Sequence, residues 1–227
     1  MTPEEAAEDL RDWLASGEPR ISVVIPTFER APRVARLVEK LSEQTLPPGQ
    51  FEVVVVDDGS RLDPRSRLSL LRVPFHLTVE RQTNQGPPGA RHRGVELSRA
   101  PVVLFLDDDM IPAPALLAEH LAVHDALPRA AVIGCIRSSE QLARLSIFER
   151  FHAKKLEDFY AELRATGRPP RGMELCTGNL SVRRADYFAV GGFDRSLRRS
   201  EDADLGLKLE RAGVALRFSD AGYSIHD

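Results

Sequence analysis

Short apolar runs alternate with helical patterns through the first half of this chain. The runs cover residues 21–25, 51–56 and 102–106, and residues 34–41 carry apolar side chains at helical spacing. Runs that are apolar at nearly every position are typical of strands covered on both faces. Their alternation with helices favours an α/β fold with a Rossmann-like, mostly parallel central sheet and helices on both faces. We expect the first strand to stop at Pro26.

Acidic side chains directly follow two of these strands. Asp57 and Asp58 come after the second strand, and an aspartate triplet occupies 107–109 after the strand at 102–106. Right-handed crossovers place the carboxyl ends of parallel strands on one edge of a sheet, so these side chains and Thr27 are expected to converge on one crevice. A divalent cation with oxygen ligands neutralises adjacent carboxylates well. Alone, the triplet is compatible with a metal site or with a solvated Asp-rich turn.

The remaining segments give a less regular pattern, with no internal repeat. We predict strands at 75–80, 131–136, 176–182 and 215–218, and helices at 64–71, 112–124, 141–164, 184–190 and 201–211. Residues 84–89 are predicted to form a turn that leads into a further helix ending near residue 98. Residues 1–19 are predicted to form a short helical arm outside the domain.

Composition narrows the classes of function. The 34 acidic residues slightly outnumber the 31 basic ones, so no broad basic field attracts nucleic acid. Cys135 and Cys176 have neither disulfide nor metal-ligand spacing and are interpreted as buried residues of a reducing compartment. No window approaches the ~20 apolar residues of a membrane span, and the acidic N-terminus is unlike a signal peptide. We expect a soluble, cytoplasmic protein, with peripheral membrane association left open.

Eight motifs occur in an order and spacing that one known family shares. They are 24–30 (VIPTFER), 55–60 (VVDDGS), 84–86 (NQG), 90–94 (ARHRG), 105–109 (FLDDD), 177–181 (TGNLS), 191–194 (GGFD) and 201–205 (EDADL). Together they resemble the family 2 glycosyltransferases of the GT-A fold, and the C-terminal part resembles the galactosyltransferase-type segment of such enzymes. The resemblance implies one domain over 20–227, with a nucleotide-sugar half at 20–110 and an acceptor and catalytic half at 111–227.

The resemblance also implies a reaction. A sugar would pass, with inversion, from a nucleotide-diphosphate donor, with UDP favoured, to a hydroxyl of a saccharide, a lipid-linked molecule or a small molecule. Mn²⁺ or Mg²⁺ held by carboxylates would stabilise the charge on the departing diphosphate. A carboxylate on the opposite face of the sugar would deprotonate the acceptor. The chain lacks the Gln-x-x-Arg-Trp segment of processive synthases, so we expect one or a few additions.

The family pattern assigns the nucleobase pocket to residues after the first two strands. Asp58 matches the aspartate that accepts a hydrogen bond from the ring N–H of the donor base. Pro26 and Thr27 match residues lining that pocket, and Glu29 of the same motif is also assigned to the donor. The alternative is that Asp58 is only an Asx-turn residue before Gly59.

The pattern assigns the diphosphate and the metal to charged residues. Arg91 matches a recurring arginine expected on the diphosphate. Asp109, the last aspartate of the triplet, is the expected metal ligand, while Asp107 and Asp108 would touch ribose or metal-bound water. His226 follows the last predicted strand, where many relatives carry a further metal ligand, and neutral imidazole suits Mn²⁺.

The pattern assigns the catalytic base to the start of the helix at 201–211. Asp202 is the expected base, and Glu201 would position the acceptor. The alternative is that both acids only stabilise the positive end of the helix, with Ser200 as its N-cap. Gly178 and Asn179 are expected to line the acceptor side, and the charged segment 141–172 either closes over the acceptor or packs.

Three rival functions stay open on the sequence. A retaining glycosyltransferase on the same fold is poorly separated from an inverting one. A sugar nucleotidyltransferase would carry a Gly-rich, basic loop after the first strand, which residues 26–30 do not provide. A non-catalytic sugar-nucleotide binding module would have no need of Asp109, Asp202 and His226.

Overall fold

The structure, a computed structural model, describes residues 17–138, 146–197 and 199–227, without the side chain of Glu149. Residues 1–16 of the predicted arm and 141–145 of the predicted charged helix lie outside the described residues. In chain order the elements are β1 (Ile21–Thr27), α1 (Ala31–Leu41), β2 (Phe51–Asp57), α2 (Arg65–Leu68), β3 (His76–Arg81), α3 (Gly86–Leu97), β4 (Val102–Leu106), β5 (Met110–Pro112), α4 (Leu116–Ala126), β6 (Ala130–Ser138), α5 (Ile147–Thr166), β7 (Asn179–Arg183), α6 (Arg184–Ala189), α7 (Glu201–Arg211) and β8 (Ala215–His226).

The described strands form one eight-stranded sheet in the order β3-β2-β1-β4-β7-β6-β8-β5. The strands β3, β2, β1 and β4 are parallel to one another, as the alternating pattern predicted. In the other half, β7 runs antiparallel to both β4 and β6, β8 is parallel to β6, and β5 is antiparallel to β8. The α/β class with a central sheet is confirmed, and the sheet is mixed in its second half.

Burial explains why β1, β2 and β4 form. The side chains of β2 and β4 are buried at every position, and α1 turns one apolar stripe towards the core with Val34, Leu37, Val38 and Leu41. The strand β1 continues through Pro26 to Thr27, so the predicted stop at Pro26 is wrong. Since β4 pairs with β1 only as far as Val24, one edge of β1 is unpaired beyond that residue, where proline is tolerated.

Two strands near the C-terminal end differ from the prediction and shape the site. Met110–Pro112 forms β5 instead of leading into a helix, and β8 runs to His226 instead of ending near Phe218. The pairing of β8 with β6 shifts register between Gly134 and Ile136. A Cβ atom at Gly134 would lie 2.2 Å from the carbonyl oxygen of Gly222. This irregularity lets β8 continue until His226 pairs with Met110, immediately after the aspartate triplet.

The helix α7 is held against a 3₁₀ turn at Gly172–Glu174 by two glycines. A Cβ atom added to Gly206 would lie 2.0 Å from the carbonyl oxygen of Gly172, so only glycine permits this approach. Ser200 precedes α7 in a left-handed conformation with φ of 63°. It is the N-cap residue, as predicted, although its side chain makes no capping hydrogen bond.

No helix among the described residues combines the length and the apolar character that crossing a membrane requires.

Candidate functional site

A cavity of about 360 Å³ opens where β1, β2 and β4 end, at the edge where the sequence predicted a crevice. We call it the strand-end cavity. The predicted site residues that line it are Pro26, Thr27, Asp58, Arg91, Asp107, Asp108 and Asp109. The lining also includes Phe28 and Arg30, for which the sequence analysis assigned no role.

Asp58 is fixed by three hydrogen-bond donors. Its Oδ1 accepts from Gln82 Nε2 over 2.8 Å and from the backbone N–H of Gln85 over 2.9 Å. Its Oδ2 accepts from the backbone N–H of Gly86, the first residue of α3, over 2.8 Å. An ionised carboxylate offers about four acceptor positions, so Oδ2 retains one for a further donor in the cavity.

Asp108 is held by residues that follow β1. Thr27 Oγ1 donates to its Oδ2 over 2.7 Å, and Arg30 Nη1 donates to its Oδ1 over 3.1 Å. Burial raises the pKa of Asp108, against the lowering effect of these two donors. The same Arg30 nitrogen also donates to Asp109 Oδ2 over 2.9 Å, so one half-exposed guanidinium neutralises two members of the triplet.

Arg91 links the triplet to the start of α7. Its Nη2 donates to Asp107 Oδ1 over 2.6 Å, and its Nη1 donates to Glu201 Oε1 over 3.3 Å. Burial disfavours the charged guanidinium and by itself would lower the pKa of Arg91. The negative charges of Asp107 and Asp202 have the larger combined effect, so this pKa lies above its ordinary value. Its buried Nε has no hydrogen-bond partner among the described residues. Arg91 is therefore a buried, permanently charged group between the two sets of acids.

Asp109 and His226 face each other across the end of the sheet. His226 Nε2 lies 3.6 Å from Asp109 Oδ2. The nearby carboxylate of Asp109 raises the pKa of His226. Burial favours the neutral carboxyl and by itself would raise the pKa of Asp109. The positive charges of His226 and Arg30 have the larger combined effect, so the pKa of Asp109 is lowered.

The donor set at this point fits a divalent cation that is completed by a substrate. No group of three His, Cys, Asp or Glu side chains within the described residues could hold a metal ion by itself. Asp109 and His226 supply two donor atoms 3.6 Å apart, and adjacent ligands of an octahedral cation lie about 3 Å apart. Mg²⁺ is commonly bound by one or two carboxylates together with substrate phosphates and water.

Asp202 lies behind Arg91 at the first turn of α7, held by Thr177. Thr177 Oγ1 donates to its Oδ1 over 2.8 Å, and the backbone N–H of Thr177 donates to its Oδ2 over 3.1 Å. Burial raises the pKa of Asp202, against the lowering effects of Arg91 and Thr177. Asp204 instead pairs with Lys208 of the same helix over 2.6 Å. The two aspartates of this motif thus have different surroundings, since Asp202 is buried against Thr177 and Asp204 pairs with a lysine of its own helix.

Two residues lie elsewhere than the sequence suggested. Glu29 has φ of 58°, and its Oε1 accepts from the backbone N–H of Arg61 over 3.0 Å, outside the lining of the strand-end cavity. Asn179 is fully buried and does not line the crevice, contrary to expectation. Its Oδ1 lies 3.0 Å from His120 Nε2, and its Nδ2 donates to Gly222 O over 2.9 Å. Gly178 does lie at the site, since its Cβ position is 3.3 Å from Asp107 Oδ2.

Comparison with known proteins gives a family match and distant structural likenesses. Residues 22–189 match the family model described as Glycosyl transferase family 2. A validoxylamine A glucosyltransferase of Streptomyces hygroscopicus subsp. limoneus is 30% identical over 91% of this chain and 51% of its own length. A pre-mycofactocin glycosyltransferase of Mycobacterium tuberculosis (strain CDC 1551 / Oshkosh) is 29% identical over 91% of the chain and 42% of its own length. The chain spans about half the length of the curated relatives it matches.

Two solved structures show the same fold. S. aureus TarS 1-349 in complex with UDP has a TM-score of 0.69 at 20% identity, over 91% of this chain and 60% of that one. The mannosyltransferase PcManGT from Pyrobaculum calidifontis, in complex with GDP-Man and Mn²⁺, has a TM-score of 0.73 at 22% identity, over 92% of this chain and 56% of that one. The predicted GT-A fold is confirmed.

Proposed function

The chain belongs to glycosyl transferase family 2, and from this premise we propose that it transfers a sugar from a nucleotide-diphosphate donor to an acceptor hydroxyl. One observation carries the proposal. The strand-end cavity brings Asp58, Arg91 and the triplet 107–109 together, and Arg91 connects them to Glu201 beside Asp202. The buried guanidinium of Arg91 thus joins the donor site to the site of the base.

The donor base would occupy the side of the cavity formed by Asp58. The remaining acceptor position on its Oδ2 suits the ring N–H of uracil, which favours UDP as the nucleotide. Pro26 and Thr27 line the same cavity, and the half-exposed ring of Phe28 in the same lining is available for stacking on a base. TarS was solved with UDP and with UDP-GlcNAc, and PcManGT with GDP-Man. Asp107 and Asp108 would then lie near the ribose and the diphosphate.

Asp109 and His226 would hold Mn²⁺ or Mg²⁺ at the diphosphate. When bound, the cation supplies positive charge that stabilises the departing diphosphate. The chain contributes its own cations to the same region, since Arg91 is fixed between Asp107 and Glu201 and Arg30 is half exposed at the cavity. Either guanidinium can donate to phosphate oxygens once it exchanges a carboxylate partner.

Asp202 would remove the proton from the acceptor hydroxyl as it attacks the anomeric carbon. Thr177 fixes the orientation of its carboxylate, and burial makes that carboxylate more basic than an exposed one. Glu201 would position the acceptor through its contact with Arg91. A base on the face opposite the diphosphate gives inversion. On this assignment residues 20–110 bind the donor, and residues 111–227 supply the base and the acceptor side.

Calorimetry with UDP, GDP and dTDP, each with and without Mn²⁺, tests the donor assignment. We expect UDP to bind most tightly and Mn²⁺ to strengthen its binding. Asp58→Asn should weaken UDP binding at least tenfold because the amide nitrogen replaces an acceptor. The control Asp63→Asn changes an acid that pairs with Arg65 outside the cavity and should leave the affinity unchanged. Absence of metal-enhanced binding for all three nucleotides would refute the proposal.

A further inference from the structure

A second cavity, of about 570 Å³, lies between the end of β6 and one face of α5. We call it the basic cavity, and the residues that define its chemistry are Arg137, Arg150, Lys154, Tyr160, Arg164 and Asp220. None of them belongs to the strand-end cavity or to the acids of α7. The function proposed above therefore leaves this cavity without a role.

The two cavities adjoin at Gly178. A Cβ atom at Gly178 would lie 3.1 Å from Ile136 Cδ1, which belongs to the lining of the basic cavity. The same Cβ position is 3.3 Å from Oδ2 of Asp107, which lines the strand-end cavity. In addition, Ser138 of the basic cavity pairs in register with His226. Met110 Cε is 3.1 Å from the same position, so Gly178 is packed between the linings, and the two cavities are neighbours separated by one layer of side chains.

Positive charge is in excess around the basic cavity. Among the described residues of its lining, four are cations (Arg137, Arg150, Lys154 and Arg164) and two are acids (Glu157 and Asp220). Unpaired positive charge in a concave site attracts anions, because low-dielectric walls concentrate the field.

The nearby acids leave part of this charge uncompensated. Asp220 is shared, since Arg164 Nη1 lies 2.7 Å from its Oδ1 and Arg137 Nη2 lies 3.9 Å from its Oδ2. Lys154 pairs with Asp158, an acid outside the lining, over 2.8 Å and with Glu157 of the lining over 3.8 Å. Arg150 makes no ion pair with any side chain in the described part of the chain. An anionic ligand could therefore pair with Arg150 directly, next to Arg137 and Arg164, which share one carboxylate.

The interior of the basic cavity also offers a neutral donor. Tyr160 is 1% exposed, and its hydroxyl has no hydrogen-bond partner of normal geometry among the described residues. Its ring is fixed by stacking on Phe218, with centroids 5.5 Å apart. Burial raises the pKa of Tyr160, so the hydroxyl keeps its proton at neutral pH. A buried donor without a partner costs free energy that a ligand oxygen would recover.

We propose that the basic cavity binds an anionic group of the acceptor, a phosphate or a carboxylate, while the acceptor hydroxyl reaches Asp202. The inference rests on the proposed function and specifies its acceptor class. Arg150 and Lys154 bind the anion, and the Tyr160 hydroxyl donates to one of its oxygens.

The test uses the whole chain saturated with UDP and Mn²⁺, so that the strand-end cavity is filled. Calorimetric titrations compare glucose, glucose 6-phosphate and glucuronic acid, which differ in the anionic group. We expect at least one of the two acids to bind about tenfold more tightly than glucose, and the tighter acid identifies phosphate or carboxylate as the group.

Two variants then locate the effect. Arg150→Gln combined with Lys154→Gln should abolish the preference for the acid, whereas the control Lys155→Gln, adjacent on α5 but outside the lining, should preserve it. The proposal is overturned if neither acid binds more tightly than glucose, or if the preference survives in the double variant. UDP affinity, measured first in every sample, separates this failure from failure of the proposed function, because only the latter predicts that UDP does not bind.

Discussion

Thr177 contacts both carboxylate oxygens of Asp202, with its hydroxyl on Oδ1 and its backbone N–H on Oδ2. Hydrogen bonds to a carboxylate favour its charged form and so lower its pKa. Thr177→Val removes the hydroxyl donor and keeps the backbone donor. We expect the pKa of Asp202, already raised by burial, to rise further. The acid limb of the kcat/KM profile should then move to higher pH by the same amount.

Thr177→Ser is the matched control, because it restores the hydroxyl and should restore the position of the acid limb. An unchanged pH profile in Thr177→Val would show that Asp202 is not the group whose ionisation limits the rate.

Removal of the base should separate catalysis from binding. Asp202→Asn is expected to reduce sugar transfer at least about 100-fold, the lower range of general-base contributions, while UDP affinity is retained. The control Asp204→Asn changes the neighbouring acid, which pairs with Lys208, and should retain most activity. Full transfer activity in Asp202→Asn would refute the assignment of the base.

Arg30 is expected to compete with a cation for Asp109, since its Nη1 donates to Asp109 Oδ2 over 2.9 Å. Arg30→Gln removes this positive charge and should strengthen Mn²⁺ binding in the absence of nucleotide by about threefold, because like charges repel over short distances. Arg36→Gln is the control, since Arg36 pairs with Asp227 instead. Manganese EPR titration measures both affinities, and equal affinities in the two variants would contradict the expectation.

The glycine contact behind α7 should be essential for stability. Gly206→Ala places a Cβ atom 2.0 Å from the Gly172 oxygen, which forces the turn and the helix apart. We expect a loss of about 3 kcal/mol in the free energy of unfolding, measured with urea. Gly213→Ala is the control, because Gly213 has φ of 74° and open space at its Cβ position. Only backbone strain of about 1 kcal/mol is expected there, and equal losses would contradict the steric explanation.

Two buried histidines should make the protein sensitive to acid. Burial lowers the pKa of His120 to about 4 and that of His124 to about 3, against about 6.5 in an unfolded chain. The unfolded chain therefore binds more protons as the pH falls below about 6.5, and stability decreases from there towards the folded-state pKa values. Each histidine contributes up to about 1.4 kcal/mol per pH unit.

His124→Leu removes one of these titrations, so urea unfolding between pH 7 and pH 5 should show about half of the wild-type slope. Ser181 keeps a partner in this variant, because its hydroxyl also lies 2.8 Å from His120 Nδ1. A slope equal to that of the wild type would show that other groups cause the acid sensitivity.

Local patterns predicted the parallel half of the sheet because β1, β2 and β4 are apolar at nearly every position. The strand at 102–106 was predicted at its true limits, and the carboxylates that follow it reach the cavity as expected. The end of β8 was not predictable in the same way, since Ser219, Asp220 and Gly222 interrupt the apolar pattern and the strand continues only through the register shift in β6.

Contacts between residues far apart in the chain could not be predicted from local sequence patterns. Arg30 lies in a recognised motif, but no local pattern indicates that it contacts Asp108 and Asp109, which are 78 and 79 residues away in the chain. The burial of Asn179 depends likewise on its contact with His120, 59 residues away. The basic cavity combines β6, α5 and Asp220, and no pattern within one element reveals it.

The way in which arginines neutralise the triplet has a consequence for binding. Asp107, Asp108 and Asp109 each contact a guanidinium already, so a metal–diphosphate pair would enter by exchange of partners and add little net charge to the cavity. Such an exchange releases few ions to bulk solvent. Donor affinity should accordingly depend only weakly on ionic strength, and selection among nucleotides would then come from hydrogen-bond geometry at Asp58.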